Sequence, residues 1–268
     1  MLVLALDTST AACAVALAEL TAAEPVPEPG GTSAPDAPGS SSDPAQSSDG
    51  SGDGSAVRVW PRGSVVTVDA RRHGELLAPS MRSVLDEADV HPSDLAAIVV
   101  GAGPGPFTSL RVGMVTAAAF ADALEIPVHG VCSLDGIGAA TTGATAVVTD
   151  ARRREVYWAR YEDGVRMGDP RVGRPIEVAE ALRAQGVAAV VGPGRAMYAG
   201  MFADFAELEM PAAGGDATVP EAGYPRPELL AGLAGADLLA GRLPAPLVPL
   251  YLRRPDATEP HAPKPVRA

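Results

Sequence analysis

The sequence predicts an α/β protein of two lobes, each built on a mixed sheet, and three observations predict it. Residues 2–131 run in the order strand, strand, strand, helix, strand, helix, strand. Residues 145–191 repeat the start of that order more loosely. Between the fourth strand and the longest helix lies a loop rich in glycine and proline, which brings the backbone tightly round from strand to helix. An open α/β sheet without duplication fits the same elements about equally well until the motifs are weighed.

Residues 2–6 form a short apolar run that stops at Asp7, with similar runs at 12–18 and 65–69, each bounded by turn or polar residues as strands are. Over 74–88, Leu77, Met81, Val84, Leu85 and Ala88 recur at helical spacing, and Pro92 bars the helix from continuing. A strand over 95–100, a helix over 107–124 and a strand over 128–131 complete the first half. The second half reads as strands at 145–149 and 155–161, a third near 165–172, a helix at 178–185, a strand at 188–191 and a further helix after Gly194. Three antiparallel strands, then a crossover helix to a parallel strand, twice over, is the arrangement of two ribonuclease-H-like lobes. The division expected is an N-terminal lobe over 1–130 and a C-terminal lobe over 131–253.

Residues 21–56 interrupt this pattern with eight Ser, six Gly, six Pro, six acids and no base, Val26 being the one large apolar side chain. Such a stretch cannot bury enough surface to offset its ordering entropy, so it reads as a disordered insertion in the first lobe, with a partner-binding segment as the alternative. The prolines of 254–268 block regular structure and predict a disordered tail. Half of the formal charge of −12 lies in the insertion, and the remaining −6 argues against a chain that grips a nucleic-acid backbone by itself.

Other absences narrow the chemistry. The only lysine is Lys264, among prolines, so no phosphate-loop, Schiff-base or kinase-type lysine is available. Cys13 and Cys132 cannot build a four-cysteine zinc site, and among His73, His91, His129 and His261 no two stand four residues apart, so no metal site is expected. Residues 1–6 are too short for a signal peptide and lack a basic lead, and no run approaches the roughly 18 apolar residues of a membrane span. The expectation is a cytoplasmic protein with reduced cysteines and no membrane partner.

Asp7-Thr8-Ser9-Thr10 falls where the first strand turns back. It is either a plain hairpin turn or a place where a carboxylate holds hydrated magnesium and backbone N–H groups meet a phosphate. Gly101-Ala-Gly-Pro-Gly-Pro-Phe-Thr-Ser-Leu-Arg-Val-Gly113 is more specific, with Thr108 or Ser109 in the helix's first turn able to cap it or meet an anion. Gly113, Ala117 and Ala121 then recur every fourth residue, a strip that lets another helix approach closely, from this chain or another. Arg152, Arg153 and Arg154 are the only triple-basic run, either solvated in a hairpin turn or touching an RNA backbone.

The strand ending in Asp7-Thr-Ser-Thr10, together with His73-Gly-Glu-Leu-Leu-Ala-Pro79, the loop 103–113, Cys132-Ser-Leu-Asp135, Asp150-Ala-Arg-Arg-Arg-Glu-Val-Tyr157 and Pro249-Leu-Tyr-Leu-Arg253, resembles the TsaB (YeaZ) family over essentially the whole chain outside 21–56 and the tail. The resemblance implies an actin-like ATPase (ASKHA) fold with a reduced second lobe. It also implies a non-catalytic partner of the threonylcarbamoyltransferase TsaD, in a system with TsaE that forms threonylcarbamoyladenosine (t6A) beside the anticodon of tRNAs reading codons that begin with A. The partnership it implies is a heterodimer with TsaD through the two first-lobe helices, joined by TsaE, with tRNA held mainly by the partners, no cofactor, and a possible homodimer in isolation.

Carried onto this sequence, the resemblance makes Asp7, Thr8, Ser9, Gly103, Gly105 and Thr108 a vestigial nucleotide site, and His73, Leu76, Ser80, Arg111, Gly113, Ala117 and Ala121 a partner face. The catalytic paralogue carries two metal-binding histidines four residues apart, whereas His73 is followed at that spacing by Leu77. The loop departs from the family in having Pro106 where Ser is common and Ser109 where Gly is common, and Pro106 removes an N–H that could meet a phosphate. The rival reading is an active enzyme of the same fold, an ATP-dependent small-molecule kinase or carbamoyltransferase using Asp7 on magnesium and the glycine loop on phosphate. A metalloprotease lacks its ligands, and a homodimer with an unrelated regulatory role is the remaining alternative.

Overall fold

The computed structural model describes residues 1–23, 57–208 and 223–253. Most of the expected insertion, and the whole expected tail from 254, lie outside the described residues. The class is α/β, as the sequence predicts, with two sheets. The first contains β1 (Leu2–Asp7), β2 (Ala12–Ala22), β3 (Val57–Val68), β4 (Leu95–Gly101) and β5 (Val128–Val131) in the order β3-β2-β1-β4-β5. Its first three strands are antiparallel neighbours, and β4 and β5 add in parallel. The second contains β6 (Ala144–Asp150), β7 (Val156–Glu162), β8 (Val165–Arg166), β9 (Arg171–Gly173) and β10 (Ala189–Val191) in the order β10-β6-β7-β8, with β9 also paired to β7. Here too an antiparallel pair, β6–β7, is extended on the β6 side by a parallel strand, β10.

β2 and β3 are longer than the sequence suggests. Thr21 and Ala22, assigned to the insertion, continue β2 and pair with Arg58 and Val57, so the hairpin runs well past the expected end. Pro61 falls in β3, the edge strand of this sheet among the described residues, where proline is tolerated. The single third strand expected near 165–172 is two short ones, β8 and β9.

Helices α1 (His73–Glu87) and α2 (Phe107–Leu124) cover one face of the first sheet. Leu77, Val84, Leu110, Met114, Ala117 and Ala121 pack there on Leu4, Leu6, Val15 and Leu17. α2 is the one helix among the described residues whose length and hydropathy would also suffice to cross a membrane, although no continuous apolar run spans it. The other face is covered by α6 (Pro227–Leu239), whose Leu230, Ala231, Ala234 and Leu238 meet Val3, Ala5, Leu20 and Val99. The sequence reading places no helix there, and a division after residue 130 leaves out this return of the chain to the first sheet. β1 is therefore buried on both faces, which is why it reads as an unbroken apolar run.

On the second sheet, α4 (Pro175–Ala184) contributes Val178, Ala179 and Leu182 to a core with Val148, Val156, Trp158, Phe202 and Phe205, beside the short α5 (Pro193–Met197). Its other face meets Leu134 and Ile137, at the short α3 (Asp135–Gly138). Beyond α6, residues 247–253 run back across both units. Leu247 packs on the first core and Leu250 on the second, with Leu250 N donating to Ala102 O at 2.8 Å.

Candidate functional site

The site is the junction of three loops. β1 ends at Asp7 and turns through Thr8 and Ser9; β4 ends at Gly101 and enters the glycine loop; β5 leads to Cys132 and Ser133. Because β1, β4 and β5 are parallel, their carboxyl ends lie side by side, and side chains distant in sequence converge there.

Asp7 is 1% exposed. Its Oδ1 accepts from Ser9 N at 2.8 Å and from Ser9 Oγ at 2.7 Å, the local turn expected of Asp followed by hydroxyl residues. Oδ2 is buried without a hydrogen-bond partner of good geometry, although Ser133 Oγ lies beside it. Burial pushes the Asp7 pKa up from 3.8; the Ser133 and Ser9 hydroxyls and nearby His73 oppose that shift without cancelling it. His73, the first residue of α1, is itself buried with Nε2 unpartnered. Cys13, behind Asp7, is pushed up to about 11 by burial and by that carboxylate, so it stays a thiol.

The glycine loop closes over this carboxylate. A Cβ on Gly101 would collide with Asp7 Oδ2, and one on Gly105 would stand 2.5 Å from Ser9 O and 2.8 Å from Ser9 Cα. Gly103 adopts φ +97°, before a cis bond to Pro104, and its N–H and C=O are taken by Ser133 Oγ (3.1 Å) and Ser133 N (2.7 Å). Thr8 Oγ1 donates to Ser109 O at 2.7 Å and fills the space a Cβ on Gly113 would need. Of the expected nucleotide residues, Asp7, Thr8, Ser9, Gly103 and Gly105 lie on the converging loops, where Ser9 holds Asp7 and packs against Gly105. Thr108 stands outside this group, exposed, and neither it nor Pro106 caps the helix with a side chain. Among the described residues no three His, Cys, Asp or Glu are grouped to hold a metal ion.

Two participants stood in the sequence only as parts of the motifs that carry the resemblance, with no role assigned. Ser133, in Cys132-Ser-Leu-Asp135, binds the loop. The C-terminal segment is the other: Leu250 holds Ala102, and Tyr251 meets Phe107 with the rings tilted by 50° (4.7 Å between centroids) and receives a hydrogen bond from Arg111 Nε (2.9 Å). Nothing in the local sequence of 247–253 says which groups it meets.

The expected partner face needs correction. His73, Ser80, Gly113, Ala117 and Ala121 all point inward, Ala117 and Ala121 being 0% and 2% exposed. The strip of small residues lets α2 sit close on its own sheet and on Thr8, so the near approach it permits is internal. Leu76 is half-buried on the core, and Arg111 is exposed but engaged with Tyr251. The outward side of α2 is carried by Thr108, Arg111, Val115, Ala119 and Asp122.

The family model described as TsaD, tRNA N6-adenosine threonylcarbamoyltransferase, matches residues 61–195. Uncharacterized proteins of Mycobacterium tuberculosis (strain ATCC 25618 / H37Rv) and Mycobacterium leprae (strain TN) are both 51% identical, over 196 and 193 residues, covering 73% and 72% of this chain. The chain spans 82% of the former but about half, 47%, of the latter. The protein of Bacillus subtilis (strain 168) named tRNA threonylcarbamoyladenosine biosynthesis protein TsaB is 35% identical over 100 residues, 36% of this chain and 44% of that one. The solved structure of YeaZ from Pseudomonas aeruginosa superposes with a TM-score of 0.59 at 27% identity, covering 94% of this chain and all of that one (100%). The chain belongs to the TsaD family of tRNA N6-adenosine threonylcarbamoyltransferases, as a protein of TsaB/YeaZ type.

Proposed function

We propose that this chain serves t6A formation as a non-catalytic subunit that pairs with TsaD through the outer side of α1 and α2. The observation that carries the reading is the one-sided burial of α2. Its inward side is core, while outward it offers Val115, 65% exposed, in line with Ala119 on an apolar helix that the described residues leave open. The closed loop supports the non-catalytic part: Asp7 is buried against Gly101 and Ser133, so it offers no open carboxylate to a magnesium ion. The β3-β2-β1-β4-β5 order and its partial echo in the second sheet support two ribonuclease-H-like lobes of the actin-like ATPase fold, the second reduced. TsaE would join the heterodimer, and the pairing would hold TsaD in its active arrangement.

The test is Val115→Arg with Ala119→Arg. Both positions are exposed, so the melting temperature should stay within a few degrees while the complex with TsaD, weighed by light scattering, and t6A formation on tRNA are both lost. An intact complex removes this interface. The enzyme reading predicts tight ATP–magnesium binding by the isolated chain; heat of binding in calorimetry would favour it.

A further inference from the structure

We propose that the turn between β6 and β7 is a surface for the phosphate backbone of RNA, with Arg152, Arg153 and Arg154 as the contacting side chains. The proposal rests on the reading of the chain as a subunit of the t6A system, and it gives the chain a direct part in holding tRNA.

The backbone carries the first argument. Arg152, Arg153 and Arg154 have φ of +62°, +55° and +62°, three consecutive residues in a left-handed conformation that brings Cβ against the following carbonyl. Of the other non-glycine residues described with positive φ, Asp89 and Glu125 stand alone and Asp163 is followed only by Gly164. Glycine would take this turn without strain, yet each position bears a long cationic side chain. Side chains on successive residues of such a turn leave the backbone about 100° apart, and that of Arg152 bends back toward the base of the turn, its Nη1 3.4 Å from Asp150 Oδ2.

The turn is held from its base. Arg152 N donates to Asp150 Oδ1 at 2.8 Å, Ala151 N to Glu155 O at 3.0 Å and Glu155 N to Arg152 O at 3.0 Å. Arg253, arriving from the far end of the described chain, donates to Arg152 O at 3.3 Å and pairs with the Glu155 carboxylate. The backbone shape is thus fixed by groups below the tip, while all three arginines stay exposed.

Charge and polarity point to phosphate. The register Val156↔Gly173 brings exposed Arg174 to the same end of the sheet. Among the described residues Arg152, Arg153, Arg154, Arg174 and Arg253 there outnumber Asp150, Glu155 and Glu177, a local surplus of base that remains with Arg152 paired to Asp150 and Arg253 to Glu155, on a chain of charge −12. Ala151 and Val156 on either side of the tip are buried, so the turn offers none of the exposed apolar anchors on which protein interfaces depend. Planar guanidinium groups without an apolar centre suit phosphate oxygens.

The test measures tRNA binding from 50 to 200 mM salt, on the chain alone and on its complex with TsaD. Arg152→Ser/Arg153→Ser/Arg154→Ser should weaken binding at low salt by on the order of tenfold and lower the slope of log affinity against log salt by about 2 to 3, while the triple Lys variant keeps the slope. Arg153→Gly should weaken binding with an unchanged or higher melting temperature, because glycine accepts the left-handed conformation. Unchanged affinity and slope in the triple Ser variant would overturn the proposal, as would be seen if the turn served an acidic protein instead. A fall in melting temperature in Arg153→Gly matching the loss of binding would make the arginines structural and overturn it too. Failure of the wild-type chain to bind TsaD would count against the scaffold reading alone, since the isolated chain still reports on the turn.

Discussion

Asp7 pairs a turn-forming oxygen with an orphaned one, and its titration reflects that split. Its pKa is raised in the folded chain, so the carboxyl is protonated in both states below 3.8, and the fold loses stability as pH rises from there through the raised value. Asp7→Asn keeps an acceptor for Ser9 and supplies a donor toward Ser133. The variant should melt higher than the wild type at pH 7 to 8 and show a flatter dependence of melting temperature on pH above about pH 4. A lower melting temperature at neutral pH would mean that the ionised form has a partner. Nearby, Ala117→Leu should cost about 1–3 kcal/mol by overpacking the core, measured by denaturant unfolding, before any effect on a partner. Asp7 and the glycines were legible as a site because their residue types are unusual in that order. The inward direction of Ala117 and Ala121 was not, because small residues every fourth position mark close approach without saying which helix or strand approaches.

At the scale of elements, α2 and β5 fall where their patterns predict. α2 has a clear start at Pro106 and stops at Glu125, which takes the left-handed φ of +56° that ends helices. α6 was missed because apolar residues and glycines lie on every side of it, with Leu233 and Leu239 exposed while Leu230 and Leu238 are buried, so no periodic polar face reveals it. Its weight in the fold is testable: Leu230 is 0% exposed, and Leu230→Ala should destabilise by about 2–5 kcal/mol in denaturant unfolding. The β2–β3 hairpin was legible only at its inner end. Farther out, Glu19, Thr21 and Arg58 mix polarity into the strands, and the low-complexity composition between them masks their length. Since Ala22 pairs with Val57, replacing residues 24–56 by a turn of four residues should raise stability by about 2 kcal/mol through lower closure entropy, read as a higher denaturation midpoint. A drop would show that the replaced residues contribute contacts.

For the whole molecule, the two-sheet plan was legible from element order, but the way the sheets are joined was not, since long-range pairings leave no local pattern. The chain passes from the first sheet to the second at residues 131–134, returns before α6 with Arg226 N donating to Gly136 O, and passes over again at 247–253. Among the described residues, three backbone segments thus join the two sheets. A hinge that swings freely has one or two crossings, with few hydrogen bonds spanning them. Here opening must shear three at once, and the last of them ends at the arginine turn. The last crossing is bound to the glycine loop through Leu250 N and Ala102 O, so removing residues 247–253 should leave both sheets folded yet raise amide exchange at Gly103 and Ser133, as Asp7 gains access to water.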